Sequence, residues 1–132
     1  MVPGPNPYLR TKVLTANPAE LRLMLFDGAL KFARQAGRLM EAERPDREAV
    51  FNACVRAEKI VMELSSSLAR DPDPELHEKM TALYHFIYAR LVDANTKLDR
   101  GALEEAIKIL SYERETWKML IDKAAAENAA AA

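Results

Sequence analysis

Apolar residues recur every three or four positions along most of this 132-residue chain, in four long runs separated by short polar or proline-bearing breaks. That period belongs to amphipathic helices, not to strands. The first run has the sharpest start: Asn17 can cap the first free backbone N–H groups, Pro18 sits where a missing N–H costs nothing, and Glu20 can reach back to complete a capping box. The spacing predicts a helix over 18–42, ended by Arg44-Pro45, because a residue preceding proline is biased away from helical angles. This helix carries two apolar stripes. Leu21, Met24, Leu25, Phe32, Ala36 and Leu39 form one, read as core, while Leu23, Phe26, Leu30, Ala33 and Gly37 form another roughly 140° around the cylinder, read as spare.

A second helix is predicted over 46–70, capped by Asp46, with Val50, Ala53, Cys54, Ala57, Ile60, Val61, Leu64 and Leu68 inside and Phe51, Val55 and Met62 left over on another face. Asp73 and Pro74 then open a third helix over 74–96, with a core stripe of Leu76, Met80, Leu83, Tyr84, Ile87, Leu91, Ala94 and Leu98. Phe86 and Val92 fall off that stripe. The stretch Asn95 to Gly101 contains the next break, with Asp99 as cap and Gly101 as a weaker one, and a fourth helix follows over 101–123. It buries Leu103, Ala106, Ile107, Leu110, Trp117 and Ile121, and the alanine-rich 124–132 is expected to fray for want of anything to pack. Residues 1–16 form a proline-rich arm whose Tyr8, Leu9, Val13 and Leu14 give it something to bury. The fold expected is all-α: one domain over 1–132, an antiparallel up-down-up-down four-helix bundle with a short N-terminal arm.

Counted from the helix ends, Asp27 and Arg114 reach the same height in an antiparallel first and fourth helix, which predicts a structural ion pair.

Composition then narrows the function. With 19 basic and 20 acidic residues intermixed, the chain has no single-sign field to steer a polyanion, so nucleic acid is not an expected partner. The single cysteine, Cys54, lies on an apolar stripe and reads as a small buried hydrophobe. No signal peptide and no apolar stretch of bilayer length is visible, so a cytoplasmic protein with no membrane insertion is expected. The two histidines, His77 and His85, do not follow a glutamate by three residues, as a di-iron bundle would require, and there is no phosphate-binding glycine loop or activated nucleophile. The reading is no enzyme, no metal and no cofactor.

The ordered series Tyr8, then Thr15-Ala-Asn-Pro-Ala-Glu-Leu-Arg-Leu-Met-Leu-Phe-Asp-Gly-Ala29, then Leu83-Tyr84-His85-Phe86-Ile87 with Arg90-Leu91-Val92-Asp93-Ala94-Asn95, and finally Arg114-Glu115-Thr116-Trp117, resembles the FliS family of flagellar export chaperones over nearly the whole chain. It departs in having Asn17 where the family commonly has Ser, Phe26 where Tyr is common, and a proline-rich turn at 70–74 where glycines are usual. The resemblance implies a bundle that binds the disordered C-terminal segment of flagellin, prevents premature polymerisation and delivers the subunit to the flagellar type III export gate. It also implies that the arm around Tyr8 covers part of the binding surface in the absence of a client.

The two lines of reading meet in the leftover stripes. Leu23, Phe26 and Leu30 on the first helix and Phe51, Val55 and Met62 on the second are expected to receive apolar residues of an incoming amphipathic segment, with Tyr8 and Val13 of the arm occupying the groove beforehand. The alternative is a structural homodimer whose second stripes form the subunit interface; monomer and weak dimer both remain open. If the arm competes with the client, deleting residues 1–14 raises client affinity or on-rate in a titration, and an unchanged affinity and on-rate rejects gating by the arm.

Overall fold

The computed structural model describes residues 17–68 and 73–131, which form four helices: α1 (Pro18–Met40), α2 (Arg47–Ser66), α3 (Pro74–Lys97) and α4 (Arg100–Ala131). The arm, with Tyr8 and Val13, lies outside the described residues. No strand occurs among the described residues. The helices pack in a ring, α1 on α2 and α4, and α3 on α2 and α4. Cross-ties show the antiparallel sense: Arg22 reaches Leu64 and Gly28 faces Ile60 between α1 and α2, while Ala19 meets Trp117, Asp27 meets Arg114, and Gly37 faces Leu103 between α1 and α4.

Each helix starts on a side-chain cap. Asn17 Oδ1 accepts from the Glu20 N–H at 2.9 Å, Asp46 from Ala49 at 3.1 Å, Asp73 from Leu76 at 3.1 Å and Asp99 from Ala102 at 3.0 Å. The box at α1 closes differently from expectation, since Asn17 Nδ2 donates to the Glu20 carboxylate at 3.3 Å, side chain to side chain. At the α3–α4 junction Gly101 lies inside the first turn of α4, and the left-handed position falls on Leu98, at φ 50° and ψ 40°. A leucine there costs about 1–2 kcal/mol, offset by packing of its side chain against the core. Helix ends differ most from the sequence expectation at two places, α1 ending at Met40 within two residues of it. Helix α2 stops at Ser66, short of residue 70, and α4 continues through the exposed 124–131 as regular helix where fraying was expected.

The inner face of α1 corrects the expectation from periodicity. Its buried residues are Phe26, Ala29, Leu30, Ala33, Ala36 and Met40, so Phe26, Leu30 and Ala33 of the stripe read as spare are core, Phe26 and Leu30 at 1% and 3% exposure, while Ala36 is buried as read. Leu25, Phe32 and Leu39, read as core, are half-buried on the flank. Both stripes are apolar; the face that is buried is the one with alanine at three successive turns, Ala29, Ala33 and Ala36. Alanines at successive turns let α1 approach its neighbours closely, and α2 and α4 answer with Ala53 and Ala57, and with Ala102 and Ala106. Leu76, expected inside, is instead 54% exposed and lines a groove between α3 and α4. Ala33→Leu should overfill this seam and lower unfolding free energy by about 1–3 kcal/mol in a urea titration, whereas Gln35→Leu on the exposed side of the same turn should change it by about 0.5 kcal/mol or less.

Candidate partner-binding site

One end of the bundle is organised by Arg22, which in the sequence alone is a polar interruption in an apolar run. Its Nη1 donates to the Leu64 carbonyl at 3.2 Å and to Ser67 Oγ at 3.1 Å, and its Nη2 donates to the Tyr84 hydroxyl at 2.8 Å. The guanidinium carbon also lies 5.9 Å from the Tyr84 ring centroid and 5.4 Å from that of Trp117. One α1 side chain thus touches α2, α3 and α4. Tyr84 is 1% exposed; burial pushes its phenol pKa up, and the Arg22 charge and hydrogen bond pull against that. Trp117 closes the same end by donating Nε1–H to the Ala19 carbonyl at 2.8 Å.

Above this cluster α3 and α4 part to leave a groove of about 300 Å³, walled by Leu68, Leu76, Met80, Trp117 and Leu120, with Arg22 and Tyr84 at its base. Leu76 and Leu120 are both more than half exposed. Glu113 also lines it, and partial burial raises its carboxyl pKa. Sequence periodicity missed this groove because it places Leu76 and Met80 in the core and gives the outer face of the fourth helix no partner. The available signal was Leu120, a large apolar residue off the inner stripe of the fourth helix.

A second apolar surface runs along α2 beside α3. Phe51 and Met62 are 54% and 43% exposed, with Val55 half-buried between them. Tyr88 of α3 borders this line, together with Val55 and Met62, around a hollow of about 270 Å³. Leu23 is not part of it. It does not line that hollow, and its neighbour Arg22 meets the C-terminal end of α2 at the height of Met62, with Phe51 13 residues earlier than Leu64, about 20 Å along the helix at 1.5 Å per residue. The six residues grouped on the sequence therefore separate: Phe26 and Leu30 into the core, Leu23 to the Arg22 end, and Phe51, Val55 and Met62 along one file.

The chain matches the family profile described as Flagellar protein FliS over residues 3–124. It is also similar to two flagellar secretion chaperones: that of Bacillus subtilis is 40% identical over 119 residues, covering 88% of this chain and 86% of the relative, and that of Salmonella typhimurium is 32% identical over 117 residues, covering 88% and 85%. It belongs to the FliS family.

Membership in FliS makes this a flagellar secretion chaperone family member with a role in flagellar export. Among the described residues, no helix is long and apolar enough to cross a membrane, and no cluster of three His, Cys, Asp or Glu side chains could hold a metal ion. Cys54 is buried, its thiol pushed up to about 11 by burial and by Glu58.

In this FliS bundle Arg114 Nε lies 2.9 Å from Asp27 Oδ1, and Arg114 Nη1 lies 2.8 Å from Glu115 Oε1. With Asp27 half exposed, such a pair contributes about 1 kcal/mol or less. The Arg22 cluster is worth more. Arg22→Met should cost about 1–3 kcal/mol, since it strands the buried Tyr84 hydroxyl. Arg22→Met combined with Tyr84→Phe should recover part of that loss in a thermal or urea double-mutant cycle, and strict additivity would show that the two side chains do not act together.

Proposed function

We propose that this chain is the cytoplasmic escort of flagellin: it binds the disordered C-terminal segment of the subunit, keeps it from polymerising early and presents it to the flagellar type III export gate. The observation that carries this reading is the file of Phe51, Val55 and Met62 on a bundle whose core is already closed, in a chain of a flagellar secretion chaperone family. An exposed apolar file of helical spacing fits one face of an amphipathic helix. Phenylalanine and methionine suit a docking surface, because the ring supplies contact area at small entropic cost and the thioether adapts its shape.

The α3–α4 groove at the Arg22 end offers a second apolar anchorage on another side of the bundle, with Leu23 at the same end. A client long enough to touch both would wrap the bundle and fold as it docks. Ordering such a segment consumes about 2–5 kcal/mol of the gross interaction, which leaves a wide contact releasable without ATP. The groups exposed for this purpose are apolar or hydrogen-bonding rather than nucleophilic, in keeping with a binding role.

The test is titration of the full chain with the C-terminal segment of flagellin from the same bacterium. Phe51→Asp, at an exposed position, should leave the thermal midpoint nearly unchanged and weaken binding by about tenfold or more. Binding unaffected by this substitution would remove the α2 file from the client site. Sedimentation of the client-free chain as a stable dimer, with Phe51→Asp turning it to monomer, would instead assign the file to a subunit interface.

A further inference from the structure

Glu58 is buried where a surface glutamate would ordinarily face water. It sits on α2 between Val55 and Met62 and lines the same hollow as they do, with Lys59 and Tyr88. The residue is 8% exposed, and its Oε2 is buried with no hydrogen-bond partner among the described residues. Desolvation raises its carboxyl pKa, as expected of an acid withdrawn from water without a compensating donor. The isolated bundle gains nothing from this arrangement, since an apolar side chain of similar volume would pack there without an unmet acceptor.

An arriving helix changes that balance. Packing on Phe51, Val55 and Met62 is non-directional, and an amphipathic helix moved by one turn or one heptad offers a similar apolar file, so these contacts alone leave its position along α2 undetermined. A carboxyl group set among apolar neighbours removes the degeneracy: one register gives it a donor as the side chain turns into the hollow it lines, and the others close that hollow over it unpaired. The donor's chemistry is also constrained. A lysine or arginine would bring a second cation beside Lys59, and a carboxylate would face Glu58 itself, whereas a neutral amide or hydroxyl meets neither repulsion.

We propose that Glu58 is the register point of the α2–α3 face, accepting a hydrogen bond from an Asn, Gln, Ser or Thr side chain of a helical segment seated over Val55, Met62 and Tyr88. This rests on the reading that the face receives the C-terminal segment of flagellin, and the test separates the two. A synthetic peptide of that segment is titrated calorimetrically into the full chain carrying Glu58 unchanged, Glu58→Met, Glu58→Ala, Glu58→Gln or Phe51→Asp, and each Asn, Gln, Ser and Thr of the peptide is replaced by Ala in turn.

Loss of the acceptor in Glu58→Met or Glu58→Ala should weaken binding about tenfold, while Glu58→Gln, which keeps an acceptor oxygen of the same reach, should stay within about threefold. One peptide donor should cost about tenfold when removed against Glu58 and less than about twofold against Glu58→Met or Glu58→Ala. Glu58→Ala carries the comparison if Glu58→Met does not fold. A peptide that binds, is lost with Phe51→Asp and is indifferent to Glu58→Met and Glu58→Ala overturns the register point alone; so does the lack of any coupled donor. A peptide that does not bind the unaltered chain overturns the docking reading and this inference with it.

Discussion

The structure depends on small side chains at the helix contacts. Ala29, Ala33 and Ala36 on α1, Ala53 and Ala57 on α2, Ala94 on α3 and Ala102 and Ala106 on α4 are all fully or nearly fully buried. Dispersion and burial act over short distances, so helices that meet through alanine gain from backbone-level approach and need few large residues to fill the space between them. Phe26, Leu30, Met40, Leu64, Tyr84, Ile87, Leu91, Leu103 and Leu110 are the large residues between them. The remaining large apolar residues are excluded by lack of room, and they settle on the flanks as half-buried or exposed groups. A narrow core and an adhesive exterior are therefore two results of one packing choice.

That relation explains why helix phase was the hardest feature to read. On α1 both stripes hold leucine and phenylalanine, and hydrophobicity cannot rank them; the alanine and glycine positions decide which one faces inward, by permitting contact that the other stripe would block. On α2 the inner stripe was legible because Val50, Ala53, Cys54, Ala57, Val61 and Leu64 already alternate small and medium side chains, so Phe51, Val55 and Met62 were separated correctly from it. Helix starts were legible too, since Asn17, Asp46, Asp73 and Asp99 act on backbone groups three residues away and involve no tertiary partner. The height match of Asp27 and Arg114 followed from rise per residue alone.

The groups that sequence periodicity did not show are those whose partners lie far along the chain. Arg22 looks like a polar break in an apolar run, yet its Nη donors are met by residues 42, 45 and 62 positions away. Glu58 reads as an ordinary exposed acid of a charged helix until α3 covers it. The groove between α3 and α4 likewise joins side chains from distant parts of the chain, which local propensity does not bring together. Membership in FliS supplied the general role from the chain as a whole, while the division of the surface into two apolar regions came from the folded bundle.

The placement of Trp117 has a practical consequence. It is the sole tryptophan of the chain, and its indole is hydrogen-bonded to α1 and stacked near the Arg22 cation at the edge of the α3–α4 groove. Intrinsic fluorescence therefore reports on one defined corner of the molecule, where the four helices are tied together, and its emission colour and quenching give an unlabelled optical readout of whether that corner is dry, wet or occupied.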